Sequence, residues 1–218
     1  MKKPKSDKEF EKLFKEDHFR VTIFGSARIK RGGPEYKVVY ELAKMIGERG
    51  MDIVTGGGPG IMDAANTGHK EGSKKSDANS IGLGIKLPHE QAFNKSVGYK
   101  KTFTRFSHRL DNFMLLSNVV VVAPGGVGTL LELFYTWQLM QVKHICNLPI
   151  ILLGDVWPGF LSWLNNSPLK KGFFKKKDLD LLYHAKNYKE AVKIIDMAYA
   201  EYKKGNKDFC INYRKYKG

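Results

Sequence analysis

A chain of 218 residues with 42% hydrophobic and 27% charged residues has room for one sizeable α/β domain and is short for two. Its two cysteines, Cys146 and Cys210, exclude a disulfide framework or a cysteine-built metal site, and its longest apolar run, 119–123, is far too short to span a bilayer. The net charge of +15, of which +8 falls in residues 170–218, points to anionic partners, either phosphorylated metabolites or nucleic acid.

Residues 1–19 read as a mixed basic and acidic helical extension with no apolar core, so no signal peptide is expected and a reducing, cytoplasmic location is. The first strand, 20–25, leads into a loop over 26–33. A helix over 34–49 opens on Pro34 and stops at Gly50. The second strand, 51–55, runs into Gly56-Gly57-Gly58, and Pro59 opens a helix reaching residue 71. A third strand covers 80–85. Residues 86–104 lack a clear period and are expected to form a loop with a short extended piece.

A helix over 107–117 precedes the fourth strand, 118–123, which ends in a glycine turn, 124–128, and a long helix, 129–142. A fifth strand (148–153), a helix near 158–165, a last strand (181–185) and a terminal helix (188–204) complete the order. Alternating strands and helices of this kind imply an α/β, Rossmann-like, doubly wound parallel sheet flanked by helices on both faces. Residues 20–185 are expected to form a single domain of this fold, with 186–218 as a C-terminal helix and basic tail.

On such sheets ligands bind beyond the carboxyl ends of the strands, where the connections diverge. Three loops lie at such ends: 25–28, 56–60 and 124–129. In the last, Gly125, Gly126 and Gly128 permit close backbone approach, and the helix start offers free N–H groups and a positive dipole end to a phosphate. Thr129 adds a hydroxyl. Neither the Walker A pattern nor G-x-G-x-x-G is present there. Four glycines in 56–60 give the second loop the same reading, with Gly57 and Gly58 as contacts.

Glu132 falls in the first turn of the helix that follows, beside whatever the loop holds. A carboxylate there could stabilise an oxocarbenium-like transition state. Arg105, His108, Arg109 and Asn112 share a polar stripe on the helix before the fourth strand. The stripe alone reads as a solvated face.

GGGPGIM (56–62) and PGGVGTLLE (124–132) resemble the two signatures of the LOG (Lonely Guy) family of nucleoside 5′-monophosphate phosphoribohydrolases, over residues 20–165. The compact first motif is similar to that of bacterial members acting on AMP and related nucleotides. The resemblance implies a homodimer with no metal and no redox cofactor, and hydrolysis of a nucleotide to free base and ribose 5-phosphate. It also implies a catalytic Arg–Glu pair, which maps onto Arg109 and Glu132. In plant-like members a Lys follows that Arg; here it is Leu110, which weakens the link to cytokinin nucleotides. Family members often carry a lysine decarboxylase label, but the sequence holds no pyridoxal-phosphate lysine motif.

On this reading the small-molecule nucleotide rests its phosphate on Gly125, Gly126, Val127, Gly128 and Thr129, with Ser26 and Arg28 touching it from the side. Thr102, Phe103 and Met114 are candidates for the border of the base pocket, Phe103 and Met114 more naturally as core. Two rival readings stand beside it. One is a carrier without turnover, since molybdenum-cofactor carriers resemble this fold and its glycine loops. The other is nucleic-acid contact through the lysines and phenylalanines of 170–177, for which a solvated basic segment is the preferred account.

Overall fold

Val21, Ile23, Val119, Val121, Ile151 and Leu153 bury on one face of a sheet, while their neighbours Phe24, Val120, Val122, Ile150 and Leu152 bury on the other. Strands apolar on both faces need cover on both. The computed structural model describes residues 7–13, 17–88 and 92–205. Its elements are α1 (Asp7–Lys12), β1 (Arg20–Phe24), α2 (Pro34–Glu48), β2 (Asp52–Thr55), α3 (Ile61–Gly72), β3 (Ser80–Ile85) and β4 (Tyr99–Phe103). There follow α4 (Phe106–Leu116), β5 (Val119–Val122), α5 (Val127–Gln141), β6 (Ile150–Leu153), α6 (Trp157–Leu164), α7 (Lys176–Leu179), β7 (Leu182–Ala185) and α8 (Tyr188–Lys203).

The seven strands run in the order β4-β3-β2-β1-β5-β6-β7, and every pairing is parallel. Helices α2, α3 and α8 cover one face; α1, α4, α5 and α6 cover the other. The expected doubly wound Rossmann-like fold is therefore present. The chain builds outward from β1 to β4, then returns through α4 to β5 on the other side of β1. The connections after β1 and β5 diverge at this reversal, which is where such sheets hold ligands.

Helices α2 and α3 pack at backbone distance. A Cβ at Gly68 would lie 2.1 Å from the Tyr40 carbonyl oxygen, and one at Gly72 would lie 2.0 Å from that of Lys44. Alanine is the better helix former by ~1 kcal/mol. Even so, Gly68→Ala should destabilise the fold, by about 1–3 kcal/mol as an overpacked contact, because the neighbour it meets is backbone and cannot rotate away. Denaturant unfolding checks this; an unchanged midpoint would show that the helices can separate freely.

Some bounds differ from the sequence expectation, and the extended piece expected within 86–104 is present. Helix α3 starts at Ile61, after Gly60 (φ +68°), because the turn first passes against the loop that follows β1. Helix α5 starts two residues earlier than expected, at Val127. The extended piece within 86–104 is β4, an edge strand beside β3. Parallel neighbours need a long crossover, usually a helix; here none of the described residues between β3 and β4 is helical. Residues 165–169 make a π-helical turn carrying Pro168, and α7 follows as a short helix. Residues 1–6, 14–16 and 206–218 of the expected extension and tail lie outside the described residues.

Candidate active site

Ser26 laces the three loops together. Its N–H donates to the Pro124 carbonyl (3.0 Å) and its own carbonyl accepts from the Ile61 N–H (3.0 Å). Gly25 and Gly60 permit this approach: a Cβ at the first would sit 2.5 Å from Ile61 Cγ2, and at the second 2.4 Å from the Ser26 oxygen. The Ser26 hydroxyl accepts from the Arg28 N–H (3.1 Å), and Arg28 stands exposed at the rim. Beneath the loops opens a cavity of about 670 Å³. Ser26, Arg28, Gly57, Gly58, Gly126, Val127, Gly128, Thr129, Arg109 and Glu132 all line it.

The glycines divide by purpose. Gly125 does not line the cavity; a Cβ there would fall 2.1 Å from Thr129 Oγ1, so its role is packing under the helix start. At Gly126 and Gly128 a Cβ would meet nothing within 4 Å. Neither has a packing reason to be glycine, and both face the cavity, as a cradle for a ligand requires. The first turn of α5 adds N–H groups that no preceding carbonyl can satisfy. Gly57 is different again: its N–H is already donated to Thr55 Oγ1 (2.9 Å), so this turn shapes the wall more than it offers donors.

A direct test follows from Gly126, whose backbone (φ −103°, ψ −152°) is open to any residue. Gly126→Ala should leave the melting temperature unchanged and weaken phosphate-ligand binding by about tenfold, a loss of ~1.4 kcal/mol, by filling ligand space. Calorimetric titration measures it, and wild-type affinity would remove the cradle from the site.

Arg109 lies on α4 but does not share the solvated stripe. Arg105 and His108 are exposed, whereas the Arg109 side chain turns inward and is 11% exposed. Its Nε donates to the Leu83 carbonyl (2.7 Å), its guanidinium lies over the Phe113 ring (4.9 Å), and Nη1 donates to Glu132 Oε1 (3.0 Å). Because α5 begins at Val127, Glu132 sits in the second turn rather than the first. It is not a helix-start charge; it lies one turn below the open glycines and is 12% exposed. Burial pushes its carboxyl up to about 7 while Arg109 pulls it down. Burial likewise lowers Arg109 against the pull of Glu132, and the guanidinium stays protonated.

Thr102 lines the cavity; Phe103 and Met114 instead pack in the core beneath α4 and α5. Sequence reasoning missed the apolar wall formed by Ile85, Leu87, Phe93 and Phe106. In the basic run, Phe174 docks edge-on against Trp137 (5.6 Å), and Asp178 accepts from Gln141 Nε2 (3.1 Å). Phe173 and Lys170, Lys171, Lys175, Lys176 and Lys177 face solvent. Among the described residues no group of three His, Cys, Asp or Glu side chains is placed to hold a metal, and no helix is long and apolar enough to cross a membrane.

The family model described as "Possible lysine decarboxylase" matches residues 62–195, which carry Arg109, the glycine loop 124–129 and Glu132. The chain belongs to this family, of which LOG proteins are members. It is 25% identical over 191 residues to cytokinin riboside 5′-monophosphate phosphoribohydrolase LOG of Oryza sativa subsp. japonica, covering 85% of this chain and 76% of that one. It is 30% identical over 127 residues to the pyrimidine/purine nucleotide 5′-monophosphate nucleosidase of Escherichia coli K12, covering 55% of this chain and 28% of that much longer protein. Among solved structures, the molybdenum cofactor carrier protein of Chlamydomonas reinhardtii superposes with a TM-score of 0.60 at 22% identity, over 84% of this chain and 99% of that one. At that identity the likeness is one of fold.

The family's descriptive label implies pyridoxal phosphate, which is held through a Schiff-base lysine. Among the described residues no lysine lines the cavity, so the residues present do not fit that cofactor.

Proposed function

We propose that this protein hydrolyses the N-glycosidic bond of nucleoside 5′-monophosphates of the AMP type, releasing the free base and ribose 5-phosphate. One observation carries the reading: a buried Arg109–Glu132 pair lies one turn below an open, glycine-built helix start, in a single cavity. The activities named for the rice and E. coli relatives support the same class.

The 5′-phosphate rests on the start of α5, at Gly126, Val127, Gly128 and Thr129. That seat directs the ribose down the helix toward Glu132. The ionised carboxylate stabilises positive charge developing at the anomeric carbon as the bond to the base lengthens. Water attacks that carbon; its hydroxyl stays on the sugar and its proton leaves with the base. Arg109 stabilises negative charge gathering on the departing base. It is too basic to act as the proton donor. Neither a metal nor a redox cofactor is required by this sequence of events.

We further place a second copy of the chain against the outer face of α5. Val127, Leu131 and Phe134, at i, i+4 and i+7, stand exposed there, Val127 by 85%.

The test is to incubate the purified protein with AMP, GMP, CMP and UMP separately and follow free base and ribose 5-phosphate by chromatography. Release of both supports the reading and names the base. No release from any of them, together with a tightly held nucleotide-derived ligand, would replace it with the carrier reading.

A further inference from the structure

Among the described residues of the crossover from β3 to β4 none is helical, yet the crossover is pinned to the cavity wall at two consecutive residues. The Phe93 ring fills a slot made by three glycines: a Cβ at Gly57, Gly82 or Gly84 would come within 2.4, 3.0 or 2.7 Å of it. Asn94 then ties down the turn after β2. Its backbone N–H donates to the Gly57 carbonyl (2.8 Å), and its side-chain Nδ2 lies 3.1 Å from that oxygen, 2.9 Å from the Gly58 oxygen and 2.9 Å from Asn66 Oδ1. Its Oδ1 accepts from the Ser96 N–H (3.1 Å).

Asn66 is fully buried and is itself held, accepting from Thr55 Oγ1 (2.9 Å) and donating to Ser80 Oγ (2.9 Å). Every polar group in this network has a partner, so the turn is fixed rather than merely covered. What the turn touches gives the network a purpose. A Cβ at Gly56 would lie 2.6 Å from Arg109 Nη2, so the guanidinium rests on the turn's backbone. Arg109 Nε is bonded to Leu83, between two of the glycines that seat Phe93.

We propose that Asn94 is a positioning residue: by holding Gly57 and Gly58 it fixes the surface on which Arg109 lies, and through Arg109 the placement of Glu132. The assignment rests on the reading of this cavity as the hydrolytic site. Asn94 acts through other groups and does not itself line the cavity. Loss of its amide should therefore lower kcat more than it raises KM, since the phosphate seat on α5 is built independently. A loosened Arg109 should also hold the Glu132 carboxyl down less well.

The experiment compares wild type with Asn94→Ala, and with Asn94→Ser, which keeps a hydroxyl donor if the alanine variant folds poorly. Two readouts are taken: kcat and KM with the best nucleotide, and the Glu132 carboxyl titration by carbon-13 NMR. The expected result is a kcat lower by about tenfold or more, a KM changed by less than about threefold, and a Glu132 titration moved to higher pH. A folded variant with wild-type kcat and an unmoved titration overturns the proposal. So does a loss confined to KM. If wild type turns over no nucleotide, the hydrolytic reading fails by itself, and the titration alone decides Asn94: an upward shift upholds its positioning role and an unmoved curve ends it.

Discussion

Glu132→Gln should lower kcat by about 10²–10³, the scale for removing one preorganised charge stabiliser, while leaving the fold intact. The amide keeps the shape of the side chain and can still accept from Arg109 Nη1, so a loss cannot be ascribed to collapse of the pair. Wild-type turnover in this variant would remove Glu132 from the chemistry. The pH dependence supplies a second arm. The carboxyl titrates at about 7 in the folded chain, raised by burial against the pull of Arg109, from an ordinary value of 4.5. If the carboxylate is the reactive form, kcat/KM in wild type rises with pH and levels off above about 7. Stability moves the opposite way. A folded value above the unfolded one means that the native state binds the extra proton, so the contribution of Glu132 falls as pH climbs from about 4.5 through about 7. Glu132→Gln lacks that titration and should gain on wild type in denaturant unfolding between pH 5 and pH 8.

Arg109→Ala should lose a comparable part of turnover for a different reason, and its stability defect should depend on pH. The substitution removes three contacts at once: the bond to the Leu83 carbonyl, the packing over Phe113 and the charge beside Glu132. An unpaired buried carboxylate costs several kcal/mol, on the order of 3–5 when a buried pair is broken. Protonation relieves the carboxylate part, so the defect should be smallest near pH 5, where the Leu83 and Phe113 losses remain, and grow toward pH 8, and the Glu132 titration should move up. Arg109→Lys keeps the charge, yet an ammonium cannot span the Leu83 oxygen and the Glu132 carboxylate as a planar fork does. It should recover part of the stability at pH 8 and little of the activity. A pH-independent defect, or wild-type kinetics, would show that the pair does not work as a unit.

Much of this was readable beforehand because the signals are strong and local. Strands apolar on both faces, glycine turns and helices starting on proline pointed to the doubly wound sheet, and its topology brings residues 26, 57 and 126 to one edge. The pairing of Arg109 with Glu132 was legible only through family resemblance. On its helix Arg109 shares a polar stripe with Arg105 and His108, and periodicity cannot say which of them turns inward; Leu83 O and Phe113 decide that. The glycines of 124–129 look alike in sequence, yet Gly125 serves packing and Gly126 and Gly128 serve open space, a difference that exists only in three dimensions. Phe93 and Asn94 are illegible because the stretch around them has no period to read. The sequence places the start of α5 two residues late because valine and glycine are weak helix formers whose position is set by tertiary contacts.

The all-parallel sheet also bears on how the chain reaches its working state. No described strand meets its neighbour through a hairpin, so each pairing closes a long loop before any contact compensates the lost chain entropy, which makes such sheets slow to form. Among these pairings, that of β1 with β5 joins Val21 to Val119 across most of the chain's first half. Helices α2 and α3, near in sequence and packed at backbone distance, can form well before it. The cavity cannot, because its walls come from both sides of that seam. A chain caught midway would therefore hold much of its helix, expose the valine-rich inner strands, and have no cavity at all.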